Sequence, residues 1–149
     1  MNDLQINQKL QSVSNYLGTF AIDELNQIKV SSSPSFIVIN LDERATGGSH
    51  WIALAIYPNV VYICDSLGGI KPSTTTPDEI VTFLSPFIEN RKVFITRQLQ
   101  PTYASTCGLF CVTFVNEMAK TNSFEDFIAL FTSDLTKNNA IIKFINKKC

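Results

Sequence analysis

The sequence predicts an α+β domain. Short runs rich in β-branched and aromatic residues follow one another between positions 36 and 65, whereas the C-terminal third is helical in texture. Helices therefore flank contiguous strands instead of alternating with single strands, which separates the chain from the βαβ class. At 149 residues, of which 45% are hydrophobic and 17% charged, the chain is long enough to bury a core, and one domain over residues 1–149 is expected.

The N-terminal region is predicted to be helical. Apolar residues recur at roughly helical spacing in segment 3–18, and Gly18 fits a C-terminal stop. These residues are Leu4, Ile6, Leu10, Val13 and Leu17. A second, short helix is expected over 21–28, and "SSSPS" then indicates a loop.

Three strands are predicted next. The runs 36–41, 50–57 and 60–65 have the composition of strands, and Pro58-Asn59 separates the last two as a hairpin turn does. The sequence 68–77 reads as a loop.

A helix and a further strand follow this loop. Thr76-Pro77 with acidic residues after it is typical of a helix start, because it combines a capping residue, proline at the first position and favourable charges. This helix is expected to reach about Asn90, with a bend near Pro86. Segment 92–96 is expected to be a strand.

The C-terminal third carries the remaining helices. Segment 107–120 is nearly all apolar over its first nine residues, which predicts a buried helix. Ser123-x-x-Asp126 has the pattern of a helix cap, and "NNAIIKFINKK" closes the chain.

Composition excludes several classes of protein. The net charge of −1 shows no basic excess of the kind typical of nucleic-acid binding, but a local basic patch stays open at Arg91-Lys92 and in the C-terminal "KFINKK". No apolar stretch reaches the roughly 18 residues that span a bilayer, and the N-terminus lacks the pattern of a signal peptide. We therefore expect the chain to stay inside a cell, where its four cysteines are free thiols.

Three residues can form a catalytic constellation. His50 precedes one strand of the hairpin and Asp65 ends the other, so antiparallel pairing brings the two side chains close. Cys107 opens the buried helix, where the positive end of the helix dipole favours the thiolate, and Ser105 and Thr106 can cap that helix. A carboxylate, an imidazole and a thiolate in contact are the parts of a nucleophilic site.

Each of these residues also has a plain structural interpretation. His50 alone suits a surface or structural position, and Asp65 with the glycines after it suits a turn. Cys64 and Cys111 read as small buried hydrophobes, and Cys149 as a terminal residue. A metal site is disfavoured because there is one histidine and no CxxC pair.

The motifs resemble a known family. "YLGTF" (16–20), "ERATGGSHWIALAIYP" (43–58) and "QPTYASTCGLFC" (100–111) are similar to the adenovirus maturation protease (adenain) family of cysteine endopeptidases. The wider clan includes the proteases of SUMO and ubiquitin-like proteins. The resemblance implies a central mixed, mostly antiparallel sheet flanked by helices, with the catalytic cysteine at the N-terminus of a buried central helix.

The resemblance also implies roles for residues. His50 becomes the general base, Asp65 its orienting carboxylate, Cys107 the nucleophile and Gln100 the oxyanion donor. Gln98 also carries an amide, but the spacing to Cys107 favours Gln100. Substrate-binding positions are predicted at Gly47, Gly48 and Trp51, although turn geometry or core packing also explains these three.

Two cofactors of the adenovirus enzyme are not expected here. That enzyme is activated by a viral peptide joined through a disulfide and by DNA, but this chain has no cysteine between Cys64 and Cys107 and is mildly acidic. We expect no cofactor, no metal, no membrane partner and a monomer. The compact length is typical of a small relative from a virophage, a polinton-like element or a similar DNA virus.

The implied function is cleavage of peptide bonds after small residues, above all glycine, in precursors of viral capsid proteins. The protein would then act in the nucleus or viral factory of the infected host and be packaged in the virion. Two alternatives stay open. One is an isopeptidase acting on ubiquitin-like modifiers, which Asp65-Ser66-Leu67 favours. The other is an inactive scaffold or capsid-associated protein with the same fold.

Overall fold

Five strands form one sheet in the order β1-β2-β3-β4-β5. The computed structural model describes residues 1–30, 34–41, 50–68 and 78–147. The strands are β1 Tyr16–Ala21, β2 Ser35–Asn40, β3 Trp51–Ile56, β4 Val60–Cys64 and β5 Lys92–Ile95.

Helices cover both faces of this sheet. Their bounds are α1 Asp3–Leu10, a 3₁₀ helix Ile22–Gln27, α2 Asp78–Ile88, α3 Cys107–Thr121, α4 Phe124–Ile128 and α5 Leu135–Lys147. Within the described ranges, no helix has both the length and the apolar character needed to span a membrane.

The sheet is mixed, as expected, but it is not mostly antiparallel. β2 pairs antiparallel with β3, and β3 with β4, whereas β1 pairs parallel with β2 and β4 with β5. The reason lies in the connections: the 3₁₀ helix lies between β1 and β2, and α2 between β4 and β5, so each of these pairs is joined by a crossover rather than a hairpin.

The predicted strands and the central helix are confirmed. The hairpin turns at Pro58-Asn59, where the Tyr57 N–H donates to the Val60 carbonyl at 2.9 Å. Helix α2 contains Pro86, as expected, while its predicted start at Thr76-Pro77 lies outside the described residues. Ser123 caps α4, since its hydroxyl accepts the Asp126 N–H at 3.1 Å.

The long N-terminal helix was a wrong prediction. Helix α1 ends at Leu10, and the chain then turns through Asn15, whose φ of 67° is left-handed, into strand β1. Gly18 is not a helix stop but lies inside β1 with φ 130°, where the pairing with β2 is irregular. Apolar residues at this spacing suit one helical face, but Tyr16, Thr19 and Phe20 favour a strand.

The two faces of β3 pack into two different parts of the core. Ala53 and Ala55 belong to the cluster around α3, whereas Ile52, Leu54 and Ile56 belong to the cluster on the other face. Small residues on one face let α3 approach the sheet closely, and large residues on the other fill the space under α2 and the 3₁₀ helix. This packing holds the N-terminus of α3 against the start of β3.

Candidate active site

His50 lies directly before β3 and faces the end of β4. Its backbone carbonyl accepts the Leu41 N–H at 3.0 Å, which continues the pairing of β2 with β3 and fixes this residue. The register between β3 and β4 pairs Ala53 with Cys64. The His50 Nε2 atom therefore reaches the Asp65 Oδ1 atom at 2.6 Å.

Asp65 is held by its neighbours on both sides. Its backbone N–H donates to the Thr96 hydroxyl at 2.9 Å, and the same hydroxyl donates to the Asp65 carbonyl at 2.8 Å. Its Oδ1 atom also accepts the Leu67 N–H at 3.1 Å. With 2% of its side chain exposed, this carboxylate has little freedom to turn away from His50.

The contact between Asp65 and His50 defines the imidazole tautomer. An ionised carboxylate can only accept, so the proton lies on Nε2 and Asp65 accepts it. Nδ1 is then the ring nitrogen that remains for Cys107, whose side chain is hydrogen-bonded to that of His50.

Cys107 is the first residue of α3, and its thiol is surrounded by donors. Besides the His50 side chain, the backbone N–H groups of Trp51 and Gly108 hydrogen-bond to it. The residue is 6% exposed. Burial raises the pKa of the Cys107 thiol, but these hydrogen bonds and the charge of His50 outweigh burial, so the pKa is lowered from its ordinary value.

The pKa of His50 moves in the opposite direction. Burial lowers the pKa of His50, while the hydrogen bonds and charges of Asp65 and Cys107 raise it. The net result is a pKa raised to about 9. A lowered thiol pKa beside a raised imidazole pKa favours the thiolate–imidazolium pair over the neutral pair near neutral pH.

The expected side-chain cap on α3 was wrong. Thr106 occupies the N-cap position, but its side chain makes no hydrogen bond to the helix. Its hydroxyl instead donates to the Asn139 Oδ1 atom of α5 at 2.8 Å. The consequence is favourable for a thiolate, because Thr106 does not compete for the N–H groups at the start of the helix.

The other described cysteines belong to the core. Cys64, Cys107 and Cys111 are free thiols, and Cys64 and Cys111 are 0% and 1% exposed. Burial raises the pKa of Cys64 and Cys111 well above the ordinary value. Cys149 lies outside the described residues.

Gln100 is held near the site by two hydrogen bonds, of which the one to Ser66 is buried. Its Oε1 atom accepts the Ser66 hydroxyl at 2.6 Å, and its Nε2 atom donates to the Ala104 carbonyl at 2.7 Å. Ser66 follows Asp65 directly, and Ala104 precedes Cys107 by three residues. Gln98 lies three residues beyond the end of β5, and its Nε2 atom donates to the Gln100 carbonyl at 3.0 Å.

Gly68 allows the segment around Ser66 to lie close to the segment around Gln98. Its φ is 67°, and a Cβ atom at this position would lie 2.8 Å from the backbone nitrogen of Gln98. The Gly68 N–H closes the turn by donating to the Asp65 carbonyl at 2.8 Å. A side chain at residue 68 would therefore push apart the two segments that hold Asp65 and Gln100.

Trp51 is half-buried beside Cys107. Its indole N–H donates to the Met1 carbonyl at 3.2 Å, and the Met1 side chain lies against Gly108. Trp51 packs against the core cluster, as one of its two predicted interpretations expects. Its part in substrate binding stays a prediction. The other two predicted substrate residues, Gly47 and Gly48, lie outside the described residues.

Four contributions to the site were not predicted. They are the hydroxyls of Ser66 and Thr96, the carbonyl of Ala104 and the backbone N–H of Trp51. One signal existed for Thr96, since it is a polar residue at the end of an apolar strand sequence. Ser66 offered no such signal, because a serine directly after Asp65 also suits a turn.

The described residues also form a cavity that lies away from this site, and they form no metal-binding cluster. A cavity of about 460 Å³ is lined by residues 12–15, by β2 and by the C-terminal half of α3, far along the helix from Cys107. No group of three or more histidine, cysteine or acidic side chains within the described ranges is arranged to hold a metal ion.

The chain was compared with protein-family models and with solved structures. No protein-family model matches the chain. Among solved structures, the crystal structure of the ASFV protease superposes with a TM-score of 0.63 at 15% identity, covering 96% of this chain and 64% of that one. The central domain of an uncharacterized protein from Legionella pneumophila superposes with a TM-score of 0.57 at 14% identity, covering 99% and 94%. The chain therefore shares its α+β fold with the ASFV protease.

Sequence identity is more specific than the fold. The protease of Bovine adenovirus 7 is 34% identical over 128 residues, which cover 71% of this chain. This chain is a homologue of the adenovirus protease, as the motifs predicted. It spans 57% of the length of that curated relative.

Proposed function

We propose that the chain is a cysteine endopeptidase. The observation that carries the proposal is the unbroken series of contacts from Asp65 through His50 to Cys107 at the N-terminus of α3. In this proposal Cys107 is the nucleophile, His50 the acid and base, and Asp65 the group that orients His50.

The first half of the reaction forms an acyl-enzyme. The Cys107 thiolate attacks the peptide carbonyl carbon, a C–S bond forms, and the π electrons move to the carbonyl oxygen. When the tetrahedral intermediate collapses, the C–N bond breaks, and protonated His50 gives its proton to the leaving amine. Because the pKa of His50 is raised, the imidazole stays protonated near neutral pH until the proton is transferred to the leaving amine.

The second half releases the product. Neutral His50 takes a proton from water, the hydroxide attacks the thioester carbon, and the C–S bond breaks to return the thiolate and the imidazolium. Negative charge develops on the same oxygen in both halves, and we assign its stabilisation to Gln100 and to the backbone N–H of Cys107.

The substrates we propose are proteins cut after small residues, of which glycine is the first choice. The backbone N–H of Trp51 contacts Cys107, and Trp51, Gly47 and Gly48 are proposed to line a narrow substrate groove. By homology with the adenovirus protease, the natural substrates are precursors of viral capsid proteins, and the site of action is the infected host cell and the virion.

A direct test uses peptides and precursor proteins. A fluorogenic tetrapeptide that ends in Gly-Gly before the leaving group should be cleaved, and the matching peptide aldehyde should block the cleavage by labelling Cys107. Candidate capsid precursors should be cut at sites that N-terminal sequencing of the products places after small residues. Intact precursors and an unlabelled Cys107 would contradict the proposal.

A second candidate is an isopeptidase for ubiquitin-like modifiers. The sequence Asp65-Ser66-Leu67 favours it, because this stretch is closer to the SUMO-protease side of the clan. A panel of fluorogenic modifier conjugates separates the two candidates. Turnover of a full-length conjugate much faster than turnover of its isolated Gly-Gly peptide supports the isopeptidase, and similar rates support the endopeptidase.

A further inference from the structure

The Gln100 side chain has two chemically different ends. Its Nε2 atom donates hydrogen bonds and its Oε1 atom accepts them, so only the Nε2 end can stabilise an oxyanion. The two ends are similar in size, and rotating the amide by half a turn exchanges them. A site that uses Gln100 as an oxyanion donor therefore needs a means of holding the amide in one orientation.

Both ends of the amide are engaged in the structure. The Ala104 carbonyl can only accept, so it selects the Nε2 end at 2.7 Å. The Ser66 hydroxyl lies 2.6 Å from the Oε1 atom and donates to it. Since Nε2 carries two hydrogens, its bond to Ala104 leaves one N–H for a further acceptor.

Burial of the Gln100 side chain makes the loss of a hydrogen bond to it unfavourable. Ser66 and Gln100 are each 1% exposed, so water cannot replace the hydrogen bond between them without a change in the packing. If the amide rotated, its Oε1 atom would face the Ala104 carbonyl, and two acceptors would be in contact. If the Ser66 hydroxyl were absent, a buried Oε1 atom would lose its hydrogen-bond donor, which is unfavourable at such positions.

Ser66 is itself firmly placed. Its backbone carbonyl accepts the N–H groups of both Leu99 and Gln100, at 2.8 and 3.0 Å. The residue before it is Asp65, which Thr96 and the Leu67 N–H hold in turn. The dipeptide Asp65-Ser66 therefore contacts both sides of the site, His50 through one side chain and Gln100 through the next.

We propose that Ser66 is a positioning residue for the oxyanion donor: its hydroxyl holds the Oε1 end of Gln100, so that an Nε2–H group is presented to the reacting carbonyl. This inference rests on the proposed protease function and deepens it. It makes one short turn responsible for orienting both the base and the oxyanion donor.

The test compares Ser66→Ala with the wild-type protein, using a fluorogenic tetrapeptide that ends in Gly-Gly and the matching peptide aldehyde. We expect kcat to fall about 10- to 100-fold, less than the loss that removing a whole oxyanion donor causes, while KM changes little. Affinity for the aldehyde should fall by a similar factor, because its adduct with the thiol carries the same oxygen. Alkylation of Cys107 by iodoacetamide develops no oxyanion, so its rate and pH profile should stay as in the wild type.

Two controls separate positioning from loss of stability. Ser123→Ala also removes a serine hydroxyl that accepts a backbone hydrogen bond, but at the start of α4, and it should lower stability without changing kcat. Ser66→Thr keeps the hydroxyl and should retain a kcat well above that of Ser66→Ala. If Ser66→Ala does not fold, Ser66→Val is compared with Ser66→Thr, since the two side chains have the same shape and only threonine keeps the hydroxyl. Weaker aldehyde affinity in Ser66→Val than in Ser66→Thr supports the role, and equal affinity contradicts it.

The double variant gives the sharpest result. If Ser66 acts through Gln100, adding Ser66→Ala to Gln100→Ala should cause almost no further loss of kcat. Independent, multiplying losses would overturn the inference, and so would a fall in alkylation rate that parallels the fall in kcat. The proposed function fails separately, when the wild-type protein neither cleaves the peptide nor binds the aldehyde.

Discussion

Cys107 and Cys111 lie one turn apart on α3, and their environments give the same side chain opposite properties. Both are buried, at 6% and 1% exposure. Burial raises the pKa of both thiols, and at Cys111 nothing offsets it. At Cys107, His50 and the backbone N–H groups of Trp51 and Gly108 reverse the shift.

The difference shows that a buried thiol of α3 is activated only where hydrogen bonds and the charge of His50 offset the effect of burial. The start of α3 lies close to the start of β3. The His50 imidazole and the Trp51 backbone N–H therefore both contact Cys107, the first residue of α3. One turn further in, α3 faces Ala53 and Ala55 of the sheet, which offer only apolar contact. Reactivity is decided by the groups brought from β3 and β4, and burial alone works against it.

The largest expected effect comes from replacing each cysteine by alanine. Cys107→Ala should lower peptide cleavage by about 10⁴-fold or more, since it removes the proposed nucleophile. Cys111→Ala should keep kcat within about threefold and lower the free energy of unfolding by about 1 kcal/mol, because it leaves a small cavity. Steady-state kinetics and urea denaturation measure the two effects. Cleavage by Cys107→Ala near the wild-type rate would remove the distinction between the two cysteines.

The next largest effect is expected for Asp65→Asn. The amide presents no charge to His50 and can stabilise the wrong tautomer, so kcat should fall by about 10²- to 10⁴-fold. The pKa of Cys107 should rise towards its ordinary value, because a less basic imidazole supports the thiolate less well. Asp126→Asn, an exposed position on α4, is the matched control and should leave kcat unchanged. An active Asp65→Asn with an unshifted thiol pKa would show that His50 needs no carboxylate.

A smaller effect is expected from pH. Activity requires the Cys107 thiolate, so kcat/KM should rise with pH through a thiol pKa that lies below 9. It also requires the imidazolium, so kcat/KM should fall again as pH increases through about 9. Each limb should approach about a tenfold change per pH unit, with apparent pKa values that belong to the pair. A profile that rises steadily beyond pH 9 would contradict a role for protonated His50.

The smallest effect is expected for Gly108→Ala. The added Cβ would lie 3.1 Å from the Met1 sulfur and 3.2 Å from the Met1 Cβ. A flexible methionine side chain can move by a few tenths of an ångström, so kcat and KM should each stay within about threefold of the wild type. Gly68→Ala is the contrasting control, because its Cβ meets backbone and its φ is positive, so it should be much more disruptive. Equal losses in both variants would show that Met1 is not free to move.

The sequence was sufficient to predict the hairpin and the contacts that depend on it. A two-residue turn at Pro58-Asn59 sets the register of β3 with β4, and this register brings His50 to Asp65. Cys107 was recognisable because a reactive residue type opens an otherwise apolar helix. The N-terminal region was predicted wrongly because Val13 and Leu17 fit a helical face as well as a turn followed by a strand.

The supporting contacts could not be predicted for a different reason. Thr96 reaches Asp65 through the parallel pairing of β4 with β5, and a crossover connection of this length does not fix a register. Trp51 and Ala104 contribute through backbone groups. Every residue type has these groups, so the sequence does not show which residues will use them. Ser66 carries a side chain that suits any turn, and its role is visible only beside Gln100.

The pH dependence of thiol alkylation tests the central claim most directly. The native protein is treated with iodoacetamide across a range of pH, and peptide mass mapping follows Cys107 and Cys111 separately. The account predicts that Cys107 reacts with an apparent pKa below 9, that His50→Ala moves this pKa upward, and that Cys111 stays unreactive while the protein is folded. A Cys107 that titrates at its ordinary pKa, or that titrates in the same way without His50, would contradict it.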